Sequence, residues 1–176
     1  MPTEADSEPE RGTGAEAAPQ HLLIKGRDQI RDRIAELAEQ ARREVVIFAP
    51  QLDPHFFNTA RLGRALASFA ARHRHNLARL LVEDGKQALR DNDRVADLGR
   101  RLGDLIHIRQ VSEEYAGHRE MFVIVDRTAC LHQLDTDKPE CLAGARLGRD
   151  TVELVERFDE WWERSIELPG RSTAGL

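Results

Sequence analysis

Hydrophobic positions along this chain alternate between two spacings, and each change of spacing marks the boundary of a helix or a strand. The segment HLLIK (His21–Lys25) reads as a short edge strand. From Gly26 a helical pattern follows, with Ile30, Ile34, Leu37, Ala38 and Ala41 on one face and Arg, Asp and Glu on the other. That helix is predicted to stop near Arg43, because EVVIFAP (Glu44–Pro50) is a compact β-branched run closed by proline. Its nearly continuous apolar character suits a strand covered on both faces.

Gln51–Asn58 reads as a loop, and Thr59–His73 as a second helix with Leu62, Leu66, Phe69 and Ala70 inward. The run LARLLVED (Leu77–Asp84) predicts a strand ended by the Asp84–Gly85 turn signal. A third helix is expected over about Gln87–Leu102, with Leu89, Val95, Leu98 and Leu102 inside. Leu105–Val111 alternates apolar and polar, as a strand with one less buried face does. EMFVIVD and ACLHQL predict a hairpin joined at Asp126–Arg127–Thr128. The last helix is expected to run from Asp150, with Glu153 completing a capping box, to about Ile166. Val152, Val155, Phe158 and Trp162 are placed inward; Trp161, about 100° further round, is placed at the edge or outside, as a contact residue.

This succession predicts an α/β fold, a mixed sheet flanked by helices and antiparallel near the hairpin. With 176 residues and no internal repeat, the chain holds one domain. Residues 1–20 are rich in Pro, Glu, Ala and Gly and lack any apolar run, so they are expected to form a disordered tail. They also lack the basic start and apolar centre of a secretory signal. The domain is then assigned to residues 21–168 and a C-terminal tail to 169–176.

Composition sharpens the picture only in part. The formal net charge is -5, and residues 1–20 hold most of it, five carboxylates (Glu4, Asp6, Glu8, Glu10, Glu16) against Arg11. The remainder is close to neutral and aromatic content is only 5%, which argues against a nucleic-acid partner. No stretch approaches the roughly 20 apolar residues of a membrane span. Cys130 and Cys141 form neither a disulfide framework nor a metal-ligand set, so a cytoplasmic protein without metal or cofactor is expected.

The stretch REMFVIVD (Arg119–Asp126) has the outline of H-x-K-x-x-x-x-D, the active-site strand of phospholipase D. It stands in order with ARREVVIFAPQLDP, LARLLVED, the hairpin REMFVIVDRTACLHQ and the closing RFDEWWERS. Together these segments resemble a single phospholipase D-like module over about Leu22 to Ile166. Within that superfamily the chain is also similar to a bacterial family of uncharacterised domains without the catalytic motif, some attached to acetyltransferases. The resemblance implies a phospholipase D-like mixed sheet, and a chemistry in which two His-Lys-Asp motifs flank a phosphodiester. One His forms a covalent phosphoenzyme and the other protonates the leaving group. Here Arg119 stands at the His position and Met121 at the Lys position; only Asp126 matches. A guanidinium stays protonated and is no nucleophile. Counting instead from His118 puts Glu120 at the Lys position and Val125 at the Asp position.

Two functions follow. The leading expectation is a catalytically inactive binding or regulatory module, with Arg119, Asp126 and Tyr115 as ligand-binding residues. An arginine fork suits phosphate or carboxylate, although a plain ion pair with Glu114 or Glu120 is the commoner reason for an arginine at a strand end. The competing expectation is a phosphodiesterase or nuclease whose active site has moved to His118, Glu120, Asp126 and His132. His107, His118 and His132 lack the spacing of a metal site. Arg72, His73, Arg74 and His75 make a basic run at a helix end, where the dipole alone favours each cation by about 0.3–1 kcal/mol. The partner expected is a second copy, weakly held, or another protein, through the face of Arg119 and Trp161.

Overall fold

Gly26, at φ 101 in a region open to glycine, turns the chain from an edge strand, β1 (His21–Lys25), into α1 (Arg27–Gln40). The computed structural model describes residues 21–144 and 148–168; the tails expected at 1–20 and 169–176 lie outside the described residues. After α1 comes β2 (Glu44–Phe48), then α2 (Pro54–Phe57) and α3 (Ala60–Arg72), then β3 (Leu77–Val82). Next are α4 (Gly85–Asp91), α5 (Asp93–Arg101) and β4 (Ile106–Gln110). The hairpin β5 (Met121–Val125) and β6 (Ala129–Gln133) leads to β7 (Glu140–Gly144), α6 (Arg149–Glu163) and a two-residue β8 (Ile166–Glu167). The eight strands form one sheet in the order β1-β7-β6-β5-β2-β3-β4-β8, parallel through β2, β3 and β4 and antiparallel elsewhere. This is the mixed α/β sheet expected from the sequence.

Each face of the sheet has its own core. On one, α1 through α5 cover Val45, Ile47, Leu80, Met121, Val123 and Leu131. On the other, among the described residues, α6 with Val111 and Tyr115 covers Val46, Phe48, Leu81, Phe122, Ile124 and Cys130. The period of two in β2 and β5 therefore sorts alternate residues between the two cores.

Several expectations need correction. Trp161 is not outside: both indoles are buried, at 4% and 8% exposure for Trp161 and Trp162, and Val152 is the exposed residue. The buried set Thr151, Leu154, Val155, Phe158, Trp161 and Trp162 recurs at three and four residues. A lone helix covering a whole sheet face buries a wide stripe, and that stripe takes in both indoles. An interface through Trp161 is thereby excluded. Nor does Asp150 cap α6: Gly148 is the N-cap, and Glu153 pairs with Arg149 at 3.1 Å.

The single helix expected at 87–102 is two. Asn92 is fully buried at the break and its side-chain amide donates to Leu52 O at 2.7 Å and Ala88 O at 2.9 Å. A side chain that binds backbone carbonyls locally competes with helix continuation, which explains the interruption. Strands β7 and β8 were not expected from the sequence.

Candidate functional site

The motif strand β5 begins where β2 ends, because Phe48 pairs with Phe122 in an antiparallel ladder. Alternation along β5 sends the two halves of the motif region to opposite faces of the sheet. Arg119 and Met121 belong to the face of α1–α5. The Arg119 guanidinium is two-thirds exposed and pairs with Asp135, at 3.3 Å, and with Asp137. Met121 is buried and lines a cavity of about 40 Å³ with Leu52, Phe56, Phe57 and Gln133. Leu52 sits there at φ 45, a left-handed conformation costly for a leucine. The two positions that the resemblance aligns with the motif's His and Lys thus hold a salt-bridged arginine and a core methionine.

On the α6 face the residues converge differently. Glu120 sits between His132, whose Nε2 lies 2.7 Å from Oε2, and the Arg157 guanidinium of α6, which donates to Oε1. His118 Nδ1 is 3.8 Å from the same carboxylate. Burial pushes the Glu120 carboxyl up, but the hydrogen bonds from His132 and Arg157 outweigh it and hold the group below the usual carboxylate range. Glu120 is therefore a fixed anion, well suited to orienting imidazoles and poorly suited to taking up a proton.

The rest of the cluster positions His118. Glu83, just past β3, accepts from the backbone amides of Gly117, at 2.7 Å, and His118, at 3.1 Å. The His118 ring lies on Trp161 with centroids 4.6 Å apart, and Phe48 meets it edge-on at 6.1 Å. Tyr115 lies 6.0 Å from Trp161, and its hydroxyl donates to Glu160 at 2.8 Å. The hydrogen bond to Glu160 and burial both raise the Tyr115 phenol, which favours the donor form.

Of the residues singled out in the sequence, His118, Glu120 and His132 come together, with Tyr115 beside them. Asp126 stands apart, at the other end of β5, roughly 20 Å of extended chain from Glu120. Its carboxylate accepts the amides of Arg42, Arg43 and Glu44 at 2.7–3.2 Å, tying the hairpin turn to the α1–β2 connection. His107 is held by Asp104 O at 3.1 Å, near Trp162. Among the described residues no three His, Cys, Asp or Glu side chains are arranged to hold a metal ion. Sequence reasoning missed Arg157, Glu83 and Glu160. Only Arg157 left a signal, four residues before Trp161, with its guanidinium 4.8 Å from that ring.

Comparison with known proteins bears on fold. A family model described as a domain of unknown function (DUF7931) matches residues 26–170. No curated protein matches. Among solved structures, Nuc from Salmonella typhimurium, a phospholipase D family member, has a TM-score of 0.63 at 12% identity. The match covers 86% of this chain and 99% of Nuc. NucT from Helicobacter pylori has a TM-score of 0.59 at 11% identity, over 85% of this chain and 99% of its own. TrmBL2, an archaeal chromatin protein, has a TM-score of 0.63 at 14% identity, over 88% of this chain; the match spans 56% of TrmBL2, about half its length. The fold is phospholipase D-like. The structure of TrmBL2 is described as showing a novel mode of DNA binding. This overturns the expectation that a nucleic-acid partner is unlikely, because a protein that shares this fold is described as binding DNA.

Proposed function

We propose, for a chain that belongs to the DUF7931 family of domains of unknown function, that it is a phospholipase D-like binding module without phosphodiesterase activity. One observation carries this reading: Met121 fills the lysine position from inside the core, while Arg119, at the histidine position, is drawn into ion pairs with Asp135 and Asp137. A buried thioether provides no charge for phosphate oxygens, and a guanidinium provides no nucleophile. Arg119 is the ligand-contacting residue in this reading, because its guanidinium is two-thirds exposed and an incoming phosphate or carboxylate competes with Asp135 and Asp137 for it. Tyr115 lies on the opposite face of the sheet and is not part of that contact. The DNA binding of TrmBL2 adds nucleic acid to the ligands against which such a module is tested. The two unpaired, buried thiols of Cys130 and Cys141 support a cytoplasmic setting.

The test is turnover of bis-p-nitrophenyl phosphate, and of DNA and RNA, with and without divalent cations. The expected result is hydrolysis no faster than buffer. A second reading, a phosphodiesterase with a displaced active site, is favoured by the convergence of His118, Glu120 and His132. Hydrolysis that disappears in His118→Ala replaces the first reading with the second.

A further inference from the structure

At the opposite end of the sheet from the Glu120 cluster, the connections entering β2 and β3 place six cationic or imidazole side chains together. Arg42 and Arg43 precede β2; Arg72, His73, Arg74 and His75 precede β3; all six are exposed. Five of them, with Asn76, line an open depression of about 600 Å³. The two connections are held in register. The Leu77 amide donates to Arg43 O at 3.1 Å, and the buried Asn76 side chain donates to Phe69 O at 2.7 Å.

The carboxylates bordering this surface are held by groups other than its cationic side chains. Asp126 is taken up by three backbone amides, Glu39 by a two-pronged contact with Arg61, and Glu44 by Arg79 and Arg127. The Arg72 guanidinium reaches only the carbonyls of Ser68 and Glu39, at 3.4 and 3.5 Å, and Arg74 meets the His75 ring. Among the described residues, no side-chain carboxylate pairs with Arg42, Arg43, Arg72 or Arg74. The described residues therefore gather four guanidinium groups on one surface without a side-chain carboxylate paired to any of them.

We infer that this surface binds the sugar–phosphate backbone of a nucleic-acid duplex, without reading its sequence. The depression, about 600 Å³, exceeds the volume of one phosphate. Cations reach it from both connections, Arg42 and Arg43 from one and Arg72 from the other, as contact with successive phosphates of a strand requires. Its described lining has no Phe, Tyr or Trp. Its rings are the imidazoles of His73 and His75, already 5.2 Å from each other, a small platform for unpaired bases that favours a duplex over a single strand. The inference goes beyond the proposed function and is independent of it, because the surface shares no residue with the Glu120 cluster or with Arg119 and Met121.

The test uses the full chain and fluorescein-labelled DNA duplexes of two unrelated sequences, followed by anisotropy across a salt series. Equal affinity for both sequences is expected. With about three phosphate contacts, affinity falls roughly 40-fold between 50 and 200 mM salt. Arg43→Ala/Arg72→Ala is expected to weaken binding by about tenfold or more and to flatten the salt slope by about two contacts. Lys86→Ala/Arg90→Ala removes equal charge at the far end of the sheet and leaves binding within about twofold. Circular dichroism of both variants checks that the fold is retained. The inference is overturned by absence of salt-dependent duplex binding, by equal losses in the two variants, or by tighter binding to single strands or phosphatidylglycerol vesicles than to duplex.

Discussion

Glu120 shows how one side chain takes its character from its surroundings. Isolated in a half-buried position, a carboxylate would hold its proton more tightly; His132 and Arg157 reverse that. Its folded pKa lies below the ordinary one, so the stabilisation it gives is complete above the ordinary carboxylate range and is lost as pH falls through the depressed value. Replacing Glu120 by Gln is expected to cost about 1–3 kcal/mol at pH 7, with a difference from the parent that shrinks on acidification. Urea unfolding of both proteins across pH measures this; a difference that grows toward acid would refute it. Asp126 has another task, holding three amides at a turn whose residues Asp126 and Arg127 lie at φ 51 and 58. Asp126→Ala is expected to lower stability by about 1–2 kcal/mol, as loss of a helix cap does. Thermal unfolding is the measurement.

At the scale of elements, α6 is the piece on which the most depends. Among the described residues it is the helix that covers its face of the sheet, with Val111 and Tyr115 beside it, and it supplies Arg157 and Trp161 to the Glu120 cluster. It is also locked to the hairpin by charge. Asp159 accepts from Arg79 at 2.8 Å and Arg127 at 3.2 Å, and Glu44 binds the same two arginines. The Arg79 guanidinium lies over both Phe158 and Trp162, at 5.1 and 5.4 Å. Trp161→Ala and Trp162→Ala are each expected to destabilise by about 3–5 kcal/mol, the range for a buried aromatic. A mild loss at either position, read from denaturant melts, would mean that α6 does not seat as described. Because the two indoles are adjacent members of one buried cluster, the double variant should not be additive.

At the scale of the whole molecule, the sheet separates two cores, with one thiol in each. Cys130 belongs to the α6 side and Cys141 to the other, so the sheet lies between them. Burial pushes Cys130 up to about 12 and Cys141 up to about 11, leaving almost no thiolate at neutral pH. Both thiols are therefore expected to resist an aromatic disulfide reagent in the native protein and to react together as urea unfolds it. Rapid labelling of one thiol in native buffer would show that its core opens locally.

The order of elements was legible in the sequence because each is a local pattern: the β-branched run Glu44–Phe48, the helical spacing of Ile30, Ile34 and Leu37, and the hairpin around Asp126. The departures from the H-x-K-x-x-x-x-D pattern at Arg119 and Met121 were equally plain, since residue identities need no fold to read. Strands β7 and β8 were not legible, because Glu140–Gly144 and Ile166–Glu167 have weak patterns of their own and exist by pairing with β1, β6 and β4. The phase of α6 was misjudged for the same kind of reason: how much of a helix is buried depends on what it covers. The sites followed suit. Glu120 meets Arg157 across 37 positions, and Arg43 meets the Arg72–His75 run across about 30, once the sheet has set their elements side by side. Sequence determined the local conformations and the residues available; proximity between distant segments, and with it charge and chemistry, was decided by tertiary structure.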